Sequence, residues 1–108
     1  MPTGTYAFTA KLWRHDGPAP WFFVALPKAQ AREIRMVTAG VTGRGWGSIR
    51  VQATVGATTW ATSIFPSKER GTYLLPVKAE VRAAEGLGEG RAVHVRLAVL
   101  GGDGCDGP

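Results

Sequence analysis

Two strand-length apolar runs in this chain each end at a proline, open into a helical segment and close on glycine. The first is Trp21-Phe22-Phe23-Val24-Ala25-Leu26-Pro27, whose helical segment leads to Gly40. The second is Tyr73-Leu74-Leu75-Pro76, followed by a helical segment from about Val77 to Leu87 and by Gly86, Gly88 and Gly90. Proline just before a helix and glycine just after it are the expected start and stop residues, because one fixes φ and the other tolerates the left-handed region. Lys28-Ala29-Gln30-Ala31-Arg32 matches Lys78-Ala79-Glu80-Val81-Arg82 as K-A-x-x-R at an offset of 78 − 28 = 50, and Gly40 and Gly90 keep the same spacing. A strand–helix joint that occurs twice at one offset restricts the chain to folds built from two similar halves, about residues 5–54 and 55–104.

The remaining segments read as strands. Tyr6, Phe8, Ala10 and Leu12 alternate with polar residues, so Thr5 to Arg14 is a period-two strand. His15-Asp16-Gly17-Pro18-Ala19-Pro20 is a turn. The continuous apolar run at Trp21–Leu26 points to a strand buried on both faces. Ile49, Val51, Ala53 and Val55 share one face of a strand, and Val93, Val95, Leu97 and Val99 share one face of another. Between them, Gly56-Ala57 is short enough for a hairpin into Thr58–Phe65. The order is β-β-α-β twice. The expected fold is mainly β with two short helices: a small closed six-stranded barrel of pseudo-duplicated units, since closure removes sheet edges that invite aggregation. Residues 1–100 are expected to form the single barrel domain and 101–108 a flexible tail.

Composition narrows the class. With 108 residues, 44% hydrophobic and 19% charged, the chain has a globular make-up. It holds one cysteine, Cys105, which cannot form an internal disulfide, and no apolar run of membrane-spanning length. The first residues lack the basic and apolar regions of a signal peptide. A cytoplasmic protein is expected. The formal net charge of +5 permits an anionic partner without demanding one, and the cations are scattered rather than clustered in a run.

Several segments together resemble a bacterial family without assigned activity, domain-of-unknown-function family 1905. They are Trp21-Phe22-Phe23-Val24 with Leu26-Pro27, Gly45-Trp46-Gly47-Ser48-Ile49-Arg50-Val51, Thr62-Ser63-Ile64-Phe65-Pro66, Tyr73-Leu74-Leu75-Pro76-Val77-Lys78, Val81-Arg82 and Gly90. The resemblance implies a small barrel of the double-split type, a shape shared with dimeric bacterial regulators and antitoxins. It implies no catalytic residues. One departure is Arg91, where the family usually carries Asp.

No recognised catalytic pattern accompanies these segments. Gly43-Arg44-Gly45-Trp46-Gly47 is glycine-rich, but it follows a helix and precedes a strand, the reverse of a nucleotide-binding loop. It reads as a connector, or as a ligand flap in which Arg44 offers charge and Trp46 a stacking face. Ser63 has no oriented base: His15 lies in a turn and His94 on the wet face of a strand. His15, Asp16, His94 and Cys105 are too dispersed for metal-ligand spacing. The pairs Lys28/Arg32 and Lys78/Arg82, each spaced i, i+4, place two cations on one helix face; they read as solvated surface or as an anion-binding surface. Of the tryptophans, Trp60 is expected inside, while Trp13, Trp21 and Trp46 flank turns where a ring can cap the barrel or roof a pocket.

The leading expectation is a non-enzymatic binding module. It would hold an anionic small molecule or a protein partner at one barrel end through Arg44, Trp46, Lys78, Arg82, Lys28 and Arg32, with no cofactor or metal. The alternatives are a DNA-binding regulator of the antitoxin-like barrel type and a small-molecule enzyme. Nucleic acid is permitted by the charge but not favoured, a membrane is not expected, and a homodimer is compatible with the implied fold.

Overall fold

The computed structural model describes residues 5–15, 21–42 and 48–102. Along the chain lie β1 (Thr5–Lys11), β2 (Trp13–His15), β3 (Trp21–Ala25), α1 (Lys28–Thr42), β4 (Ile49–Val55), β5 (Thr58–Ser67), β6 (Thr72–Pro76), α2 (Ala79–Glu85) and β7 (Ala92–Gly102). The strands form one sheet in the order β1-β7-β4-β5-β6-β3-β2, every neighbouring pair antiparallel. The sheet curls into a half-barrel because β5 changes partner along its length. It pairs with β4 through Thr58–Ile64 and with β6 through Phe65–Ser67.

The expected closed six-stranded barrel is therefore corrected to an open, curled sheet of seven strands. The seventh strand arises because the run from Thr5 to Arg14 breaks at Leu12. There the Leu12 amide donates to Arg91 O at 2.9 Å and the Gly90 amide donates to Leu12 O at 2.7 Å, so the backbone of Leu12 serves the turn before β7 instead of a ladder. The outermost strands, β1 and β2, are consecutive in the chain and meet end to end at Leu12, with no ladder between them. Their edges are managed by other means. The Gln30 amide on α1 donates to Ala7 O of β1 at 3.2 Å, and β2 has only 3 residues.

The core lies on the concave face. Ile49, Val51, Ala53 and Val55 of β4 are buried, as are Val93, Val95, Leu97 and Val99 of β7, as their alternation predicts. Tyr6 and Phe8 of β1, Leu12, Trp60 and Ile64 of β5, and Tyr73 and Leu75 of β6 join them. α1 adds Ala31 and Ile34 and packs against β6 and β7; α2 adds Val81 and packs against β5. α1 continues past Gly40 to Thr42, so glycine does not end that helix. α2 stops where expected: Gly86 adopts φ 65 and the Leu87 amide reaches back to Arg82 O at 2.9 Å. β7 includes Gly101 and Gly102, which pair with Arg50 and Ile49; the rest of the expected tail, 103–108, lies outside the described residues. Among the described residues no helix is long and apolar enough to cross a membrane.

The pairing scheme is unchanged when β1 and β2, taken as one bent run, are exchanged with β5, β3 with β6, and β4 with β7. Pair β1–β7 then becomes β5–β4, β2–β3 becomes β5–β6, and β3–β6 and β4–β7 map onto themselves. Two backbone bonds at the strand–helix joints set the spacing. The Leu26 amide donates to Tyr73 O at 3.0 Å, and the Val77 amide donates to Phe22 O at 2.9 Å. Leu26 thus corresponds to Val77 and Phe22 to Tyr73, at 77 − 26 = 51. Fully buried Val24 and Leu75 keep the same spacing. The K-A-x-x-R match at 50 is one residue out of step: Lys28 corresponds to Ala79, and Arg82 to Ala31.

Candidate functional site

The convex side of β2, β3, β5 and β6 is where the sequence reading fails most usefully. β3 was expected to be buried on both faces. Instead it turns Val24 into the core and leaves Trp21 53% exposed, with Phe23 half-buried beside it. Period two puts Trp21 and Phe23 on the same, outer face. Across the ladder, Trp13 stands opposite Phe23 and His15 opposite Trp21. Directly opposed side chains on one face are within contact range.

The rings accordingly form a row. Trp21 and Phe23 stack with centroids 6.2 Å apart and planes 8° from parallel. Phe23 and Trp13 follow at 5.3 Å. The Arg70 guanidinium closes this end of the row, its Cζ 4.0 Å from the Trp13 ring centroid. His15 sits edge-on to both Trp13 and Phe23. The other end of the row is Trp21, whose exposure leaves ring surface open.

Beyond Trp21 lies a groove of about 500 Å³ lined by Trp21, Phe22, Thr62, Phe65, Pro76, Val77, Lys78, Ala79 and Arg82. The strand–proline–helix joint builds it: Pro76 and Val77 lead from β6 into α2, and Lys78 stands just before the first residue of the helix, its side chain making no capping bond. Arg82 lies one turn further on. Its Nε donates to Val77 O at 3.2 Å and its Cζ rests 3.8 Å from the Phe22 ring centroid. A guanidinium held by a carbonyl on one side and a ring face on another is fixed before any ligand arrives. Lys78 pairs with Glu80 at 3.3 Å, with both side chains well exposed. Such a pair is worth little and yields readily to a competing anion. Among the described residues no carboxylate lines this groove.

Trp21 and Phe65, itself 44% exposed, also line a second recess of about 340 Å³ with His15, Phe23 and Leu74. His15, Phe23 and Leu74 in turn line a third, of about 260 Å³, with Trp13, Pro66, Ser67, Glu69 and Arg70. Shared walls make the three recesses one continuous surface, aromatic along its middle, with Lys78 and Arg82 at one end and Arg70 beside Glu69 at the other.

Of the residues singled out from the sequence, Lys78 and Arg82 line the groove together. Lys28 and Arg32 do not join them: the Lys28 side chain lies against Gly71, and Arg32 is exposed on α1. Arg44 and Trp46 lie outside the described residues. Trp60 is buried, as expected. Sequence reasoning missed Phe22, Phe65 and Arg70. The available signal was Trp21 and Phe23 at i, i+2, which a one-face strand must turn outward together if Val24 turns in. The polar members of the groove are a hydroxyl and two cations, a set suited to holding an anion. Among the described residues no group of three or more His, Cys, Asp or Glu is placed to hold a metal ion.

The fold, from β1 through the groove to β7, can be set beside known proteins. A comparison with curated proteins finds no match. A family model does match, over residues 8–97, and on that footing the chain belongs to the family described as a domain of unknown function, DUF1905.

Proposed function

We propose that the protein is a non-enzymatic binding module whose groove holds a flat, apolar molecule carrying a negative group. The observation that carries this reading is the placement of exposed Trp21 and the pre-positioned Arg82 in one groove of about 500 Å³. A ring seated on Trp21 or Phe65 loses water from both faces of the stack, and an anionic substituent meets Arg82 and Lys78. Residues 1–100 act as one unit in this reading, and a single cysteine, which makes no internal disulfide, is compatible with work in the cytoplasm.

The test uses the dye 1-anilinonaphthalene-8-sulfonate, which joins a fused aromatic body to a sulfonate. Its emission on titration with the intact protein is expected to give a single saturable site. Arg82→Ala and Trp21→Ala are each expected to weaken it by about tenfold, the scale of one lost charge-assisted bond or stacking face. Near-UV circular dichroism confirms that each variant keeps its tertiary packing. Equal affinity in all three proteins removes the groove from consideration.

A further inference from the structure

The groove does not stop at Trp21. Its wall of Trp21 and Phe65 opens into the recess that holds Phe23 and Leu74, and that recess opens onto Arg70. A small anion uses only the Arg82 end. A ligand that uses the whole surface needs flat apolar units repeating along its length, with negative charge between them. On the strength of the groove's proposed role, we propose that its ligand is single-stranded nucleic acid, with bases stacked on the exposed rings of Trp21 and Phe65 and backbone phosphates at Arg82 and Arg70.

The chemistry fits on three counts. Trp21 stacks on Phe23 and forms the open end of a row that continues through Trp13, tilted 39° to Phe23, to Arg70, so a base extends an existing row. Phe65 supplies a second exposed ring on the same wall. The two arginines hold their guanidinium groups against ring faces, with Arg82 also bonded to Val77 O, so both charges are pre-positioned beside the stacking surface. The net charge of +5 favours a polyanion at long range. Duplex DNA does not fit, because its bases are already stacked and their faces are closed to Trp21. Glu69 at the Arg70 end and Glu80 beside Lys78 moderate the charge, which suits modest affinity and a salt slope set by few phosphate contacts.

The experiment is fluorescence anisotropy of the full chain with labelled oligothymidylate and oligouridylate of about twelve nucleotides, a length within the span of such sites. A duplex of the same length is run beside them, across about 50–200 mM NaCl. Either single strand is expected to bind, with the ratio between them reporting DNA or RNA as the preferred source. Trp21→Ala is expected to weaken binding about tenfold, while Trp21→Phe retains most of it. Arg70→Ala is expected to reduce the salt slope by about 0.7, the single-strand value for one phosphate contact. Duplex binding as tight as single-strand binding overturns the proposal, as does indifference to Trp21→Ala. So does a homodimer, seen by sedimentation, that dissociates on Trp21→Asp, since a second copy then covers the face. If the oligonucleotides fail while the naphthalene sulfonate still binds in an Arg82-dependent way, nucleic acid is excluded and the groove stands. If no probe binds, both readings fall.

Discussion

The Thr58 hydroxyl donates to Glu85 Oε2 at 2.6 Å, tying the last residue of α2 to the first residue of β5. The same carboxylate lies over Gly56, which turns the β4–β5 hairpin at φ 59. A Cβ at Gly56 meets the Glu85 carboxylate, the movable end of its side chain, so a residue with a Cβ there pushes that carboxylate aside and also takes on the positive φ that glycine tolerates. This latch holds α2, and with it Arg82, against the sheet.

Breaking the latch tests its weight. Glu85→Ala is expected to lower stability by about 1–2 kcal/mol, since a half-buried hydroxyl loses a charged acceptor. Gly56→Ala carries the left-handed backbone cost of about 1–2 kcal/mol and also displaces the carboxylate. In the Glu85→Ala background the displacement no longer matters, so the two losses measured by urea unfolding are expected to be less than additive. Full additivity shows that the contact contributes nothing.

Two tryptophans on strands separated by β6, Trp60 on β5 and Trp21 on β3, are expected to respond oppositely. Trp60 is buried in the core, and Trp60→Ala costs about 3–5 kcal/mol through lost burial and a residual cavity. Trp21→Ala removes an exposed ring and is expected to change stability by no more than about 1 kcal/mol while reducing naphthalene sulfonate binding. Paired denaturation and dye titrations on the two variants check both halves of this prediction.

Thr72 is a buried polar residue whose hydroxyl donates to Leu26 O at 2.8 Å across the joint between β3 and α1. Thr72→Val keeps the shape and leaves that carbonyl with one acceptor site unfilled. A stability loss of about 1 kcal/mol is expected, read as a lower urea midpoint with the slope unchanged. A shift smaller than the error of the fit shows that Leu26 O does not depend on Thr72.

Alkaline pH is expected to destabilise the fold. Burial raises the phenols of Tyr6 and Tyr73 above their ordinary value of 10.0; Glu33 adds to the rise at Tyr6, and Arg35 offsets part of it at Tyr73. Below the unfolded value both states are protonated and the full contribution is present. As pH rises past it the unfolded chain ionises first, and stability is lost as pH climbs through the raised folded values. Melting temperature followed from about pH 8 to about pH 11 is expected to fall above 10, with the fall reduced in Tyr6→Phe. A flat profile contradicts the burial of these phenols.

What the sequence made legible follows one physical rule. Alternation in Ile49–Val55 and Ala92–Leu100 is set by the pleat of the strand itself, so the inward faces of β4 and β7 can be read without knowing any neighbour. The glycine stop at Gly86 is equally local, because φ 65 is a property of one residue. The run Trp21–Leu26 was not legible in the same way. A continuous apolar stretch fits burial on both faces, and it fits equally a strand with one face buried and the other left aromatic and open. The choice depends on what covers the sheet, and Trp21 is left 53% exposed.

The amino-acid order alone determined a β-rich chain with two proline-led helices, the inward faces of its regular strands and the interior place of Trp60, because these depend on periodicity and backbone preference within a few residues. Only the tertiary structure decided that the sheet remains open, that the two strand–helix joints correspond at a spacing of 51 and not 50, and that Arg82 rests on Phe22 and shares a groove with Trp21 while Arg32 is exposed on α1. The physical reason is that each of these outcomes rests on bonds between residues distant in the chain. Leu12 gives its backbone to Gly90 and Arg91, and the joints at Leu26 and Val77 lock across to Tyr73 and Phe22. No local preference of residue 12, 26 or 77 encodes the partner it finds.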